Sequence, residues 1–212
     1  MIWQYFLYAF IALFPIVNPI AMAPLFYSIT QEANNDQRGK LAAKIALYGT
    51  VTLLAALLLG PFLLHFFGLR AADLRIAGGL VLFSVAWKML NAPRESEKEP
   101  HKVDDNNIMN LAFYPLTIPV TIGGASIAIT IALATQAHKD SNMIDQYISI
   151  ALAIIAIFIL VYICYRYSSV IFKVLGENGS KVVSSLSAFI LLAIGVSVTL
   201  GGLQIIFPMM GK

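Results

Sequence analysis

Apolar residues fall into six long stretches that short polar segments separate. A helix of about 20 residues crosses the hydrocarbon core of a bilayer, and each stretch is long enough to do so. The pattern predicts an all-α membrane protein with six transmembrane helices, forming a single transmembrane domain over residues 1–212. The stretches run from Trp3 to Thr30, from Leu41 to Phe67, from Leu74 to Leu90, from Ile108 to Gln136, from Ile144 to Tyr167 and from Val182 to Pro208.

Three prolines interrupt the first stretch, at Pro15, Pro19 and Pro24 within the sequence FPIVNPIAMAPLF. Proline has no backbone N–H and its ring clashes with the preceding turn, so a helix tends to break there. In lipid an unpaired backbone carbonyl costs several kcal/mol, and irregular backbone persists only where protein buries it or where it lines a polar cavity. The first helix is therefore predicted to break near mid-membrane at these prolines.

A matching segment, YPLTIPVTIGGA, lies one hundred residues later. Pro115 corresponds to Pro15, Pro119 corresponds to Pro19, and Gly124 takes the place of Pro24. The fourth helix is therefore also predicted to break near mid-membrane. Two interrupted hydrophobic segments at corresponding positions of two halves are typical of a transporter substrate site.

The spacing divides the chain into a three-helix repeat over residues 1–91, a polar linker over 92–107 and a second three-helix repeat over 108–212. Three spans begin and end on opposite sides of the membrane, so the second copy must insert upside down. The sequence therefore predicts a 3+3 inverted repeat. Within the second repeat, glycine and serine residues predict a loop before the sixth helix, at Gly176, Gly179 and Ser180.

Composition agrees with a membrane protein, because 59% of residues are hydrophobic, 12% are charged and the mean hydropathy is +0.80. Most of the 14 lysines and arginines lie in the loops after the first, third and fifth stretches. The positive-inside rule puts these loops, including the linker, in the cytoplasm and both termini outside. The basic residues behind the net charge of +3 are scattered over the loops, which argues against a nucleic-acid-binding surface. The predicted partners are the lipid bilayer and a small solute, with no nucleic acid.

Polar chemistry deep in the spans is sparse, which argues against an enzyme. The chain has no HExxH motif, and its carboxylates and three histidines lie in loops or near span ends. The single cysteine, Cys164, excludes an intrachain disulfide. We expect no cofactor and no metal centre. If transport is coupled to an ion, sodium held by carbonyls and threonine hydroxyls fits these residues better than a proton, which usually needs an intramembrane carboxylate or histidine.

The candidate substrate-binding residues flank the two interruptions, and each has an alternative structural role. Asn18 could bind a solute or could cap the helix that restarts at Pro19. The hydroxyls of threonines in the second segment could contact a solute or bond back to helix carbonyls. Glycines there expose N–H groups at a helix start, where anions bind. A zwitterion suits such a site. The set is Asn18, Pro19, Thr117, Thr121, Gly123 and Gly124.

Other features of the spans have ordinary membrane explanations. Arg75 and Lys88 are expected to extend to opposite interfaces from the third helix, since both side chains can snorkel. Tryptophans and the tyrosines near span ends are expected to form aromatic belts. The pair Gly78–Gly79 offers a surface for close helix contact.

Two long motifs resemble the MarC-type family of integral membrane proteins: NPIAMAPLF, from Asn18 to Phe26, and NLAFYPLTIPVTIGGASIA, from Asn110 to Ala128. The resemblance extends to LRIAGGL and the polar central segment, and so covers nearly the whole chain. It implies a multi-pass protein of the bacterial or archaeal inner membrane with six helices and outside termini, within the LysE-like superfamily. One departure is that the family's sixth helix opens with an arginine and a glycine where this chain has Ser185 and Ala188.

The family includes proteins described as small neutral amino acid transporters. The predicted function is therefore secondary transport of small neutral amino acids or similar zwitterions by alternating access between the two repeats. One alternative is a small-solute channel built on paired half-helices. Another is a non-transport membrane protein linked to antibiotic resistance, as the family's name implies. Substrate identity, direction of transport and oligomeric state are left open by the sequence.

Overall fold

A computed structural model describes residues 2–31, 33–91, 108–137 and 142–207 of the chain. The polar segment predicted to be a cytoplasmic linker, 92–107, lies outside the described residues. The described part is helical and contains no strand, which confirms the all-α class. Its elements are α1 (Ile2–Val17), α2 (Pro19–Ile29), α3 (Asn35–Phe66), α4 (Ala71–Asn91), a 3₁₀ turn (Ile108–Ala112), an irregular segment (Phe113–Thr121), α5 (Gly124–Ala137), α6 (Met143–Arg166) and α7 (Ser168–Ile206).

Four of the described helical runs are long and apolar enough to cross a membrane. They are α1 with α2 as one interrupted run, α3, α6, and the part of α7 from Ser185 to Ile206. The helix α5 is apolar but shorter. The predicted loop before the last span is helical instead, and only Gly176 departs from helical geometry, with φ 64° and ψ −179°. Glycine adopts such a backbone without a Cβ clash, so one residue redirects the helix where a loop was expected.

Polar contacts define two ends of the bundle. At one end, the Ser149 hydroxyl in the second turn of α6 lies 3.0 Å from the Ile2 carbonyl oxygen at the start of α1. Arg75 near the start of α4 donates to Gln136 near the end of α5, at 3.1 Å. This end is called the N-terminal face. The turn between α2 and α3 lies at the opposite face.

The pair α4 and α7 packs antiparallel with their backbones in contact. A Cβ built on Gly195 of α7 would lie 2.7 Å from the Phe83 nitrogen and 2.9 Å from the Gly79 carbonyl oxygen of α4. One built on Gly202 would lie 3.0 Å from the Ala72 carbonyl oxygen. Small residues let membrane helices approach this closely, and the close-contact surface predicted at Gly78–Gly79 is confirmed.

The turn between α2 and α3 is organised by Arg38, whose side chain is only 4% exposed. Its guanidinium donates to the Thr30 carbonyl at 2.8 Å and to the Ala33 carbonyl at 2.9 Å. It also lies 5.0 Å from the centre of the Tyr27 ring. From the sequence, Arg38 was only one of several basic residues in loops. In the structure its guanidinium joins two carbonyls of the turn that follows α2.

Replacing Arg38 with methionine should lower the free energy of unfolding by about 3 kcal/mol. The apolar stem would stay buried, but two buried carbonyls would lose charge-assisted hydrogen bonds. The matched control is Lys40→Met two residues later, because Lys40 pairs with Asp36 at 2.7 Å with both side chains largely exposed. Exposed pairs contribute about 0–1 kcal/mol. Equal losses for both variants, measured by denaturant unfolding in one detergent, would contradict this role of Arg38.

Candidate functional site at the helix interruptions

The first interruption is a single residue, Asn18, between α1 and α2. Its backbone lies in the left-handed region, with φ 49° and ψ 56°. Its N–H still donates to the Phe14 carbonyl at 2.8 Å, and its carbonyl accepts from Met22 at 3.1 Å. Asparagine adopts this conformation more readily than other residues with a side chain. The helix therefore changes direction at Asn18 and restarts at Pro19, where a missing N–H costs nothing.

Two prolines predicted as helix breaks do not break the helix. Pro15 lies inside α1 and Pro24 lies inside α2. Each removes one i→i−4 hydrogen bond, and a membrane helix tolerates that loss where neighbouring elements pack against it. Pro24 is buried, and its carbonyl accepts a hydrogen bond from Ser28 at 3.1 Å. Of the three prolines, only Pro19 adjoins the interruption.

The Asn18 side chain is buried, at 9% exposure, and makes no capping hydrogen bond to α2. Its Nδ2 atom has no hydrogen-bond partner in the described part of the chain. The residue therefore occupies the N-cap position without using its side chain as a cap. A buried N–H donor without a partner costs about 1–3 kcal/mol and calls for a functional or structural explanation.

The second interruption is longer and covers the irregular segment. Tyr114 and Ile118 have extended backbones, with φ/ψ of −126°/128° and −119°/122°. Each precedes a proline, Pro115 or Pro119, and the proline ring disfavours a helical conformation at the residue before it. Ile122 is extended as well, and regular helix resumes with α5. Here the prolines coincide with non-helical backbone, as their sequence positions predict.

The threonines of this segment bond to their own backbone. The Thr117 hydroxyl donates to the Ala112 carbonyl at 2.6 Å, and the Thr121 hydroxyl donates to the Leu116 carbonyl at 2.7 Å. Both side chains are buried. Of the two roles considered for them, the structure shows back-bonding to carbonyls five residues earlier in the chain.

Tyr165 of α6 is a site residue that the sequence did not reveal. It was expected in an aromatic belt, because it lies near the end of a span. Instead it is buried, and its hydroxyl lies 2.9 Å from the Thr121 hydroxyl. Its ring stacks on Phe26 of α2 with centroids 4.4 Å apart. Since Thr121 donates to a carbonyl, Tyr165 is the donor in this contact, and it ties α2 to the second interruption.

The start of α5 has open space beside it. Apart from the chain neighbours and the backbone of α5 itself, no heavy atom of the described residues lies within 4 Å of a Cβ built on Gly123 or Gly124. One turn later Ser126 is buried, and its hydroxyl has no hydrogen-bond partner among the described residues. The positive end of the helix dipole also lies here, where backbone N–H groups are unpaired. The start of α5 thus resembles the start of α2, where Asn18 holds an unpartnered donor.

The two interruptions lie in the same region of the bundle. Ile16, just before the first, and Ala125, just after the second, belong to one apolar cluster with Leu82 and Leu191. Contacts also join α1 to α5 and α2 to the irregular segment. The shared apolar cluster places the two interruptions in one region of the bundle, and Tyr165 joins the later part of α2 to the second interruption.

Three neighbouring clefts open towards the N-terminal face, with volumes of about 320, 310 and 200 Å³. They share lining residues, including Tyr8, Arg75 and Gln136, and together are called the vestibule. Its smallest cleft reaches Ala12 and Ile129. At a rise of 1.5 Å per residue, Ile129 lies about 8 Å along α5 from its start.

None of the residues that line the vestibule is one of the six predicted from the sequence. The structure brings Asn18, Pro19 and the starts of both half-helices into one region. The hydroxyls of the two threonines are bonded to backbone carbonyls. The vestibule lies between that region and the N-terminal face.

The chain is similar to known membrane proteins over nearly its full length. The model of the MarC family integral membrane proteins matches residues 3–207. The membrane protein YvbG of Bacillus subtilis is 28% identical over 99% of both chains. The inner membrane protein MarC of Salmonella typhimurium is 28% identical over 91% of this chain and 90% of its own. The membrane protein MJ0972 of Methanocaldococcus jannaschii is 27% identical over 95% of this chain and 88% of its own. No solved structure matches the chain. With the family model covering nearly every residue, the chain belongs to the MarC family of integral membrane proteins.

Proposed function

We propose that this protein is a secondary transporter of small neutral amino acids or similar zwitterions. The observation that carries the proposal is a pair of half-helix starts, at α2 and α5, that lie in one region of the bundle. Each start holds a buried polar side-chain group without a partner among the described residues, Nδ2 of Asn18 and Oγ of Ser126. Groups of this kind are retained at a cost in stability, which a bound solute would offset.

The chemistry of this region suits a zwitterion. A carboxylate is stabilised at a helix N-terminus, where N–H groups and the helix dipole favour negative charge. The Asn18 amide would donate a second hydrogen bond to this carboxylate. An ammonium group needs acceptors, which the carbonyls of the irregular segment provide. Binding of a zwitterion in this way requires no charged side chain, so uncharged residues at mid-membrane are sufficient. No chemical step is involved.

An inverted repeat is supported by the way the helices pair. Exchanging the two halves, so that α2 corresponds to α5, α3 to α6 and α4 to α7, maps observed contacts onto other observed contacts. The contact between α4 and α5 then corresponds to the contact between α7 and α2. The contact between α3 and α5 likewise corresponds to the contact between α6 and α2. Over its 21 residues α4 extends about 32 Å, enough to cross the hydrocarbon core. We therefore propose six spans in a 3+3 inverted repeat, with the N-terminal face outside.

Alternating access would follow from rocking one repeat against the other around this shared region. We propose sodium as the coupling ion. Among the described residues no group of three or more histidine, cysteine, aspartate or glutamate side chains could hold a metal ion. Sodium would therefore use carbonyl oxygens of the interruptions.

The test is counterflow in proteoliposomes containing the purified protein, with radiolabelled glycine, alanine and serine. We expect saturable uptake of at least one of them, accelerated by the same amino acid on the other side. Flux that rises linearly with concentration would favour the channel alternative. Failure to bind or accumulate any of the three, under sodium or proton gradients, would overturn the proposal and leave a non-transport role.

A further inference from the structure

We infer that Arg75 forms an access site for the carboxylate group of the solute, on the N-terminal face and ahead of the helix interruptions. The inference rests on the proposed function and adds a requirement to it, namely that the solute carries a carboxylate. It also assigns a role to a residue that the sequence explained only as a cation reaching the membrane interface.

The first step of the argument is the position of Arg75. Its side chain is directed across to α5, where Nη2 donates to Oε1 of Gln136 at 3.1 Å. Arg75 lines two of the three clefts of the vestibule. Its guanidinium has five N–H donors, and among the described residues a single neutral amide oxygen uses one of them. The group therefore remains available for a planar, bidentate anion such as a carboxylate.

The second step is the charge around Arg75. Among the described residues that line the vestibule, none is acidic. Asp73, two residues away, is bound by Arg70 through two hydrogen bonds to the guanidinium, at 3.1 and 2.8 Å. Asp145, also on this face, does not line the vestibule. Within the described part of the chain, the positive charge of Arg75 thus has no carboxylate partner.

The third step is the path. The cleft shared by Arg75 with Tyr8 and Ser197 also reaches Ile129, about 8 Å along α5 from the open space at Gly123 and Gly124. A solute held by Arg75 would therefore lie between the N-terminal face and the half-helix starts. Its carboxylate would pass from a guanidinium to the positive end of α5. Negative charge is favoured at both positions, so the route is electrostatically continuous.

Two variants test the access site. Arg75→Gln removes the guanidinium. Gln136→Glu keeps the size of the side chain but supplies a carboxylate that occupies Arg75 permanently. Both should raise the KM for alanine in counterflow about tenfold, with the maximal rate changed less than twofold. The control is Lys88→Gln, which removes one positive charge from the exposed opposite end of α4 and should leave KM unchanged.

A second measurement uses probes that isolate the carboxylate. Propionate should raise the melting temperature of the purified wild-type protein and of Lys88→Gln more than propionamide does, and this difference should vanish in Arg75→Gln. A wild-type protein that transports alanine, with KM in Arg75→Gln within twofold of wild type, would overturn the access site and leave the proposed function standing. A wild-type protein that transports no amino acid would overturn the proposed function itself, and with it the access site at Arg75.

Discussion

Replacing Asn18 with glycine should reduce amino acid counterflow at least tenfold while the protein remains as stable as the wild type to within about 1 kcal/mol. The backbone of Asn18 has φ 49°, which glycine adopts without strain. The direction change between α1 and α2 would therefore persist. What the substitution removes is the buried amide, whose Nδ2 has no partner in the described part of the chain and is proposed to bind the solute. Uptake in proteoliposomes and the midpoint of unfolding in detergent measure the two effects separately.

The comparison variant is Asn18→Ala, which loses the same amide but keeps a Cβ in the left-handed region. That conformation costs alanine about 1–2 kcal/mol, so this variant should lose both transport and stability. Glycine and alanine variants together distinguish the side chain from the backbone. If Asn18→Gly transports at the wild-type rate, the amide is not a ligand and Asn18 serves only the turn between the half-helices.

Replacing Gly195 with alanine should lower the free energy of unfolding by about 3 kcal/mol. The added Cβ would lie 2.7 Å from the Phe83 nitrogen and 2.9 Å from the Gly79 carbonyl oxygen. Both atoms belong to the backbone of α4, so no side chain can rotate away to relieve the contact, and the two helices must separate. Overpacking of a close interface typically costs about 1–3 kcal/mol, and loss of the close approach adds to it.

Gly201 in the same helix provides the matched control, because a Cβ built there meets no atom within 4 Å. Gly201→Ala should raise the free energy of unfolding by up to about 1 kcal/mol, since alanine has the higher helix propensity. The two substitutions are chemically identical and should shift the unfolding midpoint in opposite directions. Destabilisation of similar size at both positions would show that α7 tolerates no added methyl group, and that the contact with α4 is not the cause.

The sequence located the two interruptions but did not show where the helix resumes after the second one. Matching prolines suggests an offset of one hundred residues, which pairs Asn18 with Ile118. In the structure the residue before each restarted helix is Asn18 in the first half and Gly123 in the second. The reason is that proline position does not fix where a helix resumes. Pro15 and Pro24 are accommodated within helices, whereas the residues before Pro115 and Pro119 have extended backbones.

Sequence alone determined what depends on local sterics and on transfer from water to lipid. Long apolar stretches fix the helical membrane class, prolines fix the neighbourhood of the interruptions, and paired glycines mark the close contacts of α4 with its neighbours, Gly79 with α7 and Gly78 with α5. The tertiary structure decided which polar groups have partners. Thr121 is bound by Tyr165 from a helix 44 residues away, and Arg75 meets Gln136 across 61 residues. Hydrogen-bond satisfaction depends on which helices come together, and no local pattern carries that information.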